Sequence, residues 1–136
     1  RLPVVLKGVL RADDAVRGLD AGARGVVVSN HGARQLDGAP ATLDALPAIV
    51  EAVGARADVL FDGGVRWGSD VLKALGLGAR AVLVGRPVLW GLGAAGERGA
   101  ARVLAMLRDD LARAMALAGC DDVTRLPPDL VRPRRS

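Results

Sequence analysis

Hydrophobic positions fall into four short unbroken runs, Pro3–Lys7, Gly25–Ser29, Asp58–Asp62 and Ala81–Gly85. Each is continuous Val/Leu instead of alternating with polar residues, the pattern of parallel strands covered on both faces. Between the runs lie Ala12–Ala21, Thr42–Val53 and Ser69–Leu77, whose apolar residues recur at helical spacing. Asp13 and Asp14 suit a first helical turn, where backbone N–H groups are unpaired. Gly68 or Ser69 is placed to cap the third helix, and Asp70 suits its first turn. A last helix is predicted over Glu97–Ala118, with Val103, Leu104, Leu107, Leu111, Met115 and Ala118 on one face and Gly119 as its stop. Gly-Ala-Arg recurs at 22–24, 54–56 and 78–80, each time between a helix and the next strand. Glycine fits the left-handed position that ends a helix, so the repeat marks where the chain turns back to the sheet.

The order βαβαβαβα implies a parallel sheet with crossover helices. Four such strands make either a small doubly wound sheet or half of an eight-stranded barrel, which takes about 250 residues. Polar residues select the barrel. Lys7, Ser29-Asn30-His31, Asp62-Gly63-Gly64 and Gly85-Arg86 all fall at the C-terminal ends of predicted strands, where barrels gather their sites. The abrupt start at Arg1 suits a chain carrying the second half. The expected fold class is therefore α/β, the second half of a TIM (β/α)8 barrel. Residues 1–120 are expected to form the half barrel and 121–136 a tail.

Composition changes this picture little. The 136 residues are 51% hydrophobic and 25% charged, an ordinary globular balance. The net charge of +4 raises the question of nucleic acid. The arginines, however, are spread over helices apart from Arg132, Arg134 and Arg135. Phe61, Trp67 and Trp90 are the only aromatics, so platforms for stacking bases are missing and nucleic acid is not expected. Cys120 is alone and cannot form an internal disulfide, which suggests a reducing compartment. With no leader pattern and no apolar run of membrane-spanning length, the expected location is cytoplasmic. No metal site is expected.

Two glycine–arginine turns carry the first chemical signal, Asp62-Gly63-Gly64-Val65-Arg66 and Gly85-Arg86-Pro87. Adjacent glycines let backbone amides approach an anion, and each arginine adds a charged fork. One Gly-Gly is shared with ordinary strand–helix turns; two such turns after consecutive strands point to phosphate. Lys7, ending an apolar run, either snorkels at a strand end or faces an anion, and the residue alone favours snorkelling. His31 and Arg34 are the sharper pair. An imidazole accepts a proton near neutral pH, and a guanidinium grips a carboxylate bidentately. Three residues of loop can aim both at a small molecule bearing a hydroxyl beside a carboxylate. Asp37 is read as a residue that fixes the loop.

In sequence order, Leu6-Lys7-Gly8-Val9, Ser29-Asn30-His31-Gly32-Ala33-Arg34-Gln35-Leu36-Asp37, Asp62-Gly63-Gly64-Val65-Arg66 and Gly85-Arg86-Pro87 closely resemble the FMN-dependent α-hydroxy acid oxidase/dehydrogenase family. The resemblance runs from Leu2 to about Cys120, and the Ser-Asn-His-Gly-x-Arg-Gln-Leu-Asp string is its most specific part. It implies barrel strands five to eight and oxidation of a small (S)-2-hydroxy acid to the 2-oxo acid, with FMN as cofactor. His31 would be the base, Arg34 would hold the substrate carboxylate, and Lys7 would stabilise the reduced flavin. Ser29 would contact the flavin, and Asp62, Gly63, Gly64, Val65, Arg66, Gly85 and Arg86 would hold its ribityl phosphate. The family's first four strands, with their tyrosines, have no counterpart here; the chain contains no Tyr. Arg1–Ser136 alone is therefore expected to need the missing N-terminal half as a partner, binding FMN weakly and turning over poorly. A homo-oligomer, a tetramer by resemblance, is a further implication. Rival readings are another FMN- or phosphate-binding barrel, which leaves His31 and Arg34 without a joint role, and a non-catalytic half-barrel binding module.

Overall fold

The computed structural model describes residues 2–132. They form two compact units, one comprising the residues up to Gly64 with Leu77–Leu83, the other Val65–Gly76 with the residues from Val84 onward.

The first unit holds a four-stranded, fully parallel sheet of β1 (Val5–Val9), β2 (Gly25–Val28), β3 (Asp58–Asp62) and β4 (Ala81–Leu83), in spatial order β1-β2-β3-β4. Its crossover helices are α1 (Ala12–Asp20) and α2 (Thr42–Val53). The register aligns Leu6 with Val26, Val26 with Val59 and Val28 with Phe61, so these residues share one face. That face meets the helices: Leu6 occupies the space a side chain at Gly18 of α1 would need. Val26, Val28, Val59 and Phe61 are buried, and so are Ala15, Leu19, Leu46, Ile49 and Val53 of α1 and α2. Complete burial of a Val, Leu, Ile or Phe side chain contributes about 1.5–3 kcal/mol each, so this layer carries the unit's stability. The opposite face differs from the expectation of cover on both sides. Val27 at its centre is buried, but Val5, Asp58, Ala81 and Leu83 around it are exposed.

The Gly-Ala-Arg repeat has a concrete structural job. Gly22, Gly54 and Gly78 all adopt positive φ, at +104°, +54° and +99°. At the first repeat the Ala23 N–H reaches back to the Gly18 carbonyl at 3.0 Å, closing α1. The arginine amides then enter the sheet, Arg24 N–H donating to Val4 O at 2.8 Å and Arg80 N–H to Val59 O at 2.7 Å. At the first and third copies the tripeptide thus carries the chain from a helix into a strand, whereas the second, Gly54–Arg56, is itself a 3-10 turn.

Strand ends depart from the sequence reading. The first strand runs Val5–Val9 instead of Pro3–Lys7, because Pro3 has no N–H for a ladder and Gly8 lets the strand continue. Gly8 has φ +96°, and the β1–β2 register slips between Lys7 and Val9. Lys7 is therefore the central residue of β1, not its last. The second strand ends at Val28 and the fourth at Leu83, leaving Ser29 and Gly85 in the following turns.

The second unit holds α3 (Gly68–Gly76) and α4 (Arg86–Leu117). Asp70 closes the start of α3 by accepting from the Arg66 and Trp67 amides, both at 3.1 Å. A break at Ala95 (φ −151°) and Gly96 (φ +60°) divides α4, so the predicted Glu97–Ala118 helix follows an earlier helical segment absent from the sequence reading. Glycines at 91 and 93 disguised that segment by lowering its helix propensity. Gly91 is buried against Gly99 across the break, where no side chain would fit. Beyond α4, Arg132 pairs with Asp129 at 2.8 Å, while Arg134 and Arg135 of the predicted basic tail lie outside the described residues. Among the described residues no helix is long and apolar enough to cross a membrane.

Candidate active site

In the first unit Lys7, from the middle of β1, meets polar residues at the C-terminal ends of β2 and β3. Lys7 projects from the face opposite the helices, forms an ion pair with Asp62 and donates to Ser29 Oγ at 3.0 Å. Partial burial holds the Lys7 ammonium below the ordinary lysine pKa, a net downward shift even with the Asp62 carboxylate in contact. Ser29 is completely buried, and its oxygen also accepts the His31 backbone N–H at 3.1 Å. Its hydroxyl thus ties the lysine to the start of the histidine turn and keeps one proton to donate.

The turn itself is strained. His31, Gly32 and Ala33 have φ of +53°, +72° and +59°, three consecutive residues in the left-handed region. For an L-residue with a Cβ this costs about 1–2 kcal/mol each. Asn30 offsets the cost: its Oδ1 accepts from the Gly32 and Ala33 amides at 3.1 and 3.2 Å, and its Nδ2 donates to Pro40 O at 3.3 Å. His31 and Arg34 are both exposed, three residues apart on this turn, and Arg34 makes no ion pair among the described residues. Asp37 accepts from the Gly38 amide at 3.1 Å, a bond within the loop.

After β3, Gly63 and Gly64 both have positive φ, +109° and +76°, but their surroundings differ. The Gly63 carbonyl accepts from Thr42 Oγ1 at 3.3 Å, and a side chain here would fall 2.6 Å from that same oxygen. At Gly64 no atom of the described residues, its chain neighbours aside, lies within 4 Å of a would-be Cβ. One glycine is pinned to α2 and its neighbour is left open, a turn that can admit an anion to its backbone. The other phosphate candidates belong to the second unit. Val65 is buried, Arg66 is exposed, and Gly85 and Arg86 are exposed at the start of α4, with Gly85 its N-cap. Neither arginine side chain has an ion-pair partner among the described residues.

Asn30 and Thr42 are supports that the sequence reading did not single out. Asn30 carried a signal, since Asn before a turn commonly binds backbone amides two or three residues on. Thr42 carried none: Gly63, which it holds, is distant in sequence.

A parallel α/β layer with a lysine inside β1, an imidazole in the turn after β2 and an open glycine turn after β3 defines the class. The family follows from comparison. The model of the FMN-dependent dehydrogenase family matches residues 1–133, and the chain belongs to that family. It is 57% identical over 131 residues to 2-Hydroxyacid oxidase 1 of Mus musculus, covering 96% of this chain and 35% of that protein. It is 59% identical over 122 residues to the L-lactate oxidase of Nostoc sp., covering 90% and 33%. A crystal structure of mandelate oxidase with benzoyl-formic acid superposes with a TM-score of 0.86 at 58% identity, covering 90% of this chain and 36% of that one. The chain thus spans about a third of the length of the relatives it matches. The superposition supports an α/β architecture of (β/α)8-barrel type.

One expectation is overturned. Related (S)-2-hydroxy-acid oxidases of Oryza sativa and Arabidopsis thaliana are named as peroxisomal, against the cytoplasmic location read from the sequence. A lone cysteine and the lack of a leader pattern do not identify a compartment, because organelle addresses are short receptor-read signals independent of the fold.

Proposed function

We propose that this chain provides the cofactor- and substrate-holding strands of an enzyme that oxidises a small 2-hydroxy acid to the 2-oxo acid with FMN. In this reading β1–β4 are strands five to eight of the barrel. Residues 1–120 carry its elements and 121–136 form a tail. The numbering is supported by the glycine turns following β3 and β4, since barrel phosphate sites follow the last two strands. The single observation that carries the function is the Ser29–Arg34 turn, whose strained backbone is held by buried Ser29 and by Asn30 and which presents an imidazole and a guanidinium without an ion-pair partner among the described residues. Strain retained in this way is characteristic of functional sites.

The residues suit FMN. The open backbone at Gly64 can receive a phosphate oxygen; from the motif they share with the family, Asp62, Gly63, Val65, Arg66, Gly85 and Arg86 are the further residues that would hold the phosphate end, and Lys7 and Ser29 those that would contact the flavin. When bound, FMN supplies the two-electron acceptor. Arg34 holds the substrate carboxylate, and His31 takes the proton released on oxidation. Lys7 would hold a positive charge beside the cofactor and so favour its reduced form. The uncovered sheet face receives the remaining strands of the barrel, the partner this chain needs for tight binding.

The test uses the polypeptide that carries these strands together with the rest of the barrel. Anaerobic addition of glycolate, lactate or mandelate should bleach its flavin absorbance. His31→Asn should slow bleaching by at least about a hundredfold with FMN retained, and Arg34→Met should raise KM for the acid. Bleaching at the normal rate in His31→Asn overturns the assignment. Residues 1–136 alone should bind FMN with a Kd above about 1 μM; tighter binding with normal turnover removes the need for the partner strands.

A further inference from the structure

Lys7 and Gly8 are neighbours on β1, and both bear on the histidine turn. Lys7 acts through Ser29, whose oxygen receives both the Lys7 ammonium and the His31 amide. The second contact is with the ring. A Cβ built on Gly8 would lie 2.5 Å from His31 Nε2, 3.2 Å from Cε1 and 3.5 Å from Cδ2, and these ring atoms are its three nearest neighbours. The imidazole therefore lies directly over the Gly8 Cα. Gly8 is also where the β1–β2 register slips, at φ +96°, so the strand is locally turned to offer this bare surface. Glycine is required twice here, for its dihedral and for its missing side chain.

We propose that Gly8 is a positioning residue for His31: its bare Cα is the surface against which the imidazole rests, and any side chain at position 8 expels the ring from the site. The proposal rests on the reading of His31 as the proton acceptor only for its catalytic consequence; the position of the ring can be tested separately. The atom that a new Cβ would strike is the far end of a side chain, so the ring should yield before the backbone does. Gly8→Ala should accordingly displace the imidazole while leaving a folded chain.

Gly22 provides the control. Its φ of +104° imposes the same backbone penalty, but no atom of the described residues, its chain neighbours aside, lies within 4 Å of its would-be Cβ. His31 is the only histidine of the chain, so its ring Cε1–H and Cδ2–H resonances are unambiguous in NMR spectra. The expected result is displaced His31 cross-peaks in Gly8→Ala and unmoved ones in Gly22→Ala, with folded circular dichroism spectra for both. Unmoved His31 peaks in a folded Gly8→Ala chain overturn the proposal. If Gly8→Ala does not fold, the double variant Gly8→Ala/His31→Ala decides: recovery of folding to the level of Gly22→Ala supports a collision with the ring, and continued unfolding overturns it. Displaced peaks combined with unimpaired oxidation by His31→Asn would leave the ring contact standing and remove the role of His31 as base.

Discussion

Lys7 shows how a residue can be located by sequence and still be misplaced in its element. A lysine in an apolar run signals something other than core, and by itself it favours a side chain that snorkels at a strand end. Its partners were not legible: Ser29 and Asp62 lie 22 and 55 residues away, and local sequence says nothing about that meeting. The central position in β1 depends on the Gly8 bulge, which reads in sequence as an ordinary strand-ending glycine. The environment of Lys7 has a measurable consequence. Burial lowers its pKa from the ordinary 10.5, so the unfolded chain binds the proton more tightly than the folded one. The folded state gains stability from this group as pH rises through the folded pKa, with the full gain present above the unfolded value. It loses that gain as pH falls. Urea midpoints measured from about pH 8 to about pH 11 should therefore climb in the wild type relative to Lys7→Met. Parallel profiles for the two proteins would show that Lys7 is not desolvated.

At the scale of elements, continuous apolar runs and helical spacing were enough to find four strands and most of the helices, because both periods are local. The first helical segment of α4 escaped, since its glycines serve a close approach to Gly99 that only the folded chain reveals. The Gly-Ala-Arg repeat was legible as a turn, but its three copies are not equivalent in packing. At Gly22 a side chain would meet open space; at Gly78 it would fall 2.6 Å from Val50 Cγ1. Gly22→Ala should therefore cost only the left-handed backbone penalty, about 1–2 kcal/mol. Gly78→Ala should cost about 1–3 kcal/mol more for the collision with α2. In a Val50→Ala background the excess at Gly78 should largely vanish. Urea denaturation of the four variants measures this directly, and equal costs at Gly22 and Gly78 in the parent would show that α2 yields freely.

For the whole molecule, the decisive feature is a sheet with one face buried under helices and the other carrying exposed Val5, Ala81 and Leu83 around the Lys7–Asp62 pair. The runs suggested cover on both faces because they recorded the apolar character of both, and sequence alone does not show whether the covering atoms are within the same chain. Leu83 is 39% exposed here, so its loss should cost little in this chain. If the face is completed by the other strands of a family-type barrel, the same side chain becomes core, and Leu83→Asn should then cost about 2–4 kcal/mol through lost burial and an unpaired amide. The comparison is therefore between one substitution in two settings: residues 1–136 alone, and a fusion that joins them to the other barrel strands of a family member. A urea midpoint that barely moves in the first and drops sharply in the second identifies the open face as the surface that the partner strands bury. A small effect in both would mean that Leu83 stays in contact with water in the assembled protein and that the barrel closes elsewhere.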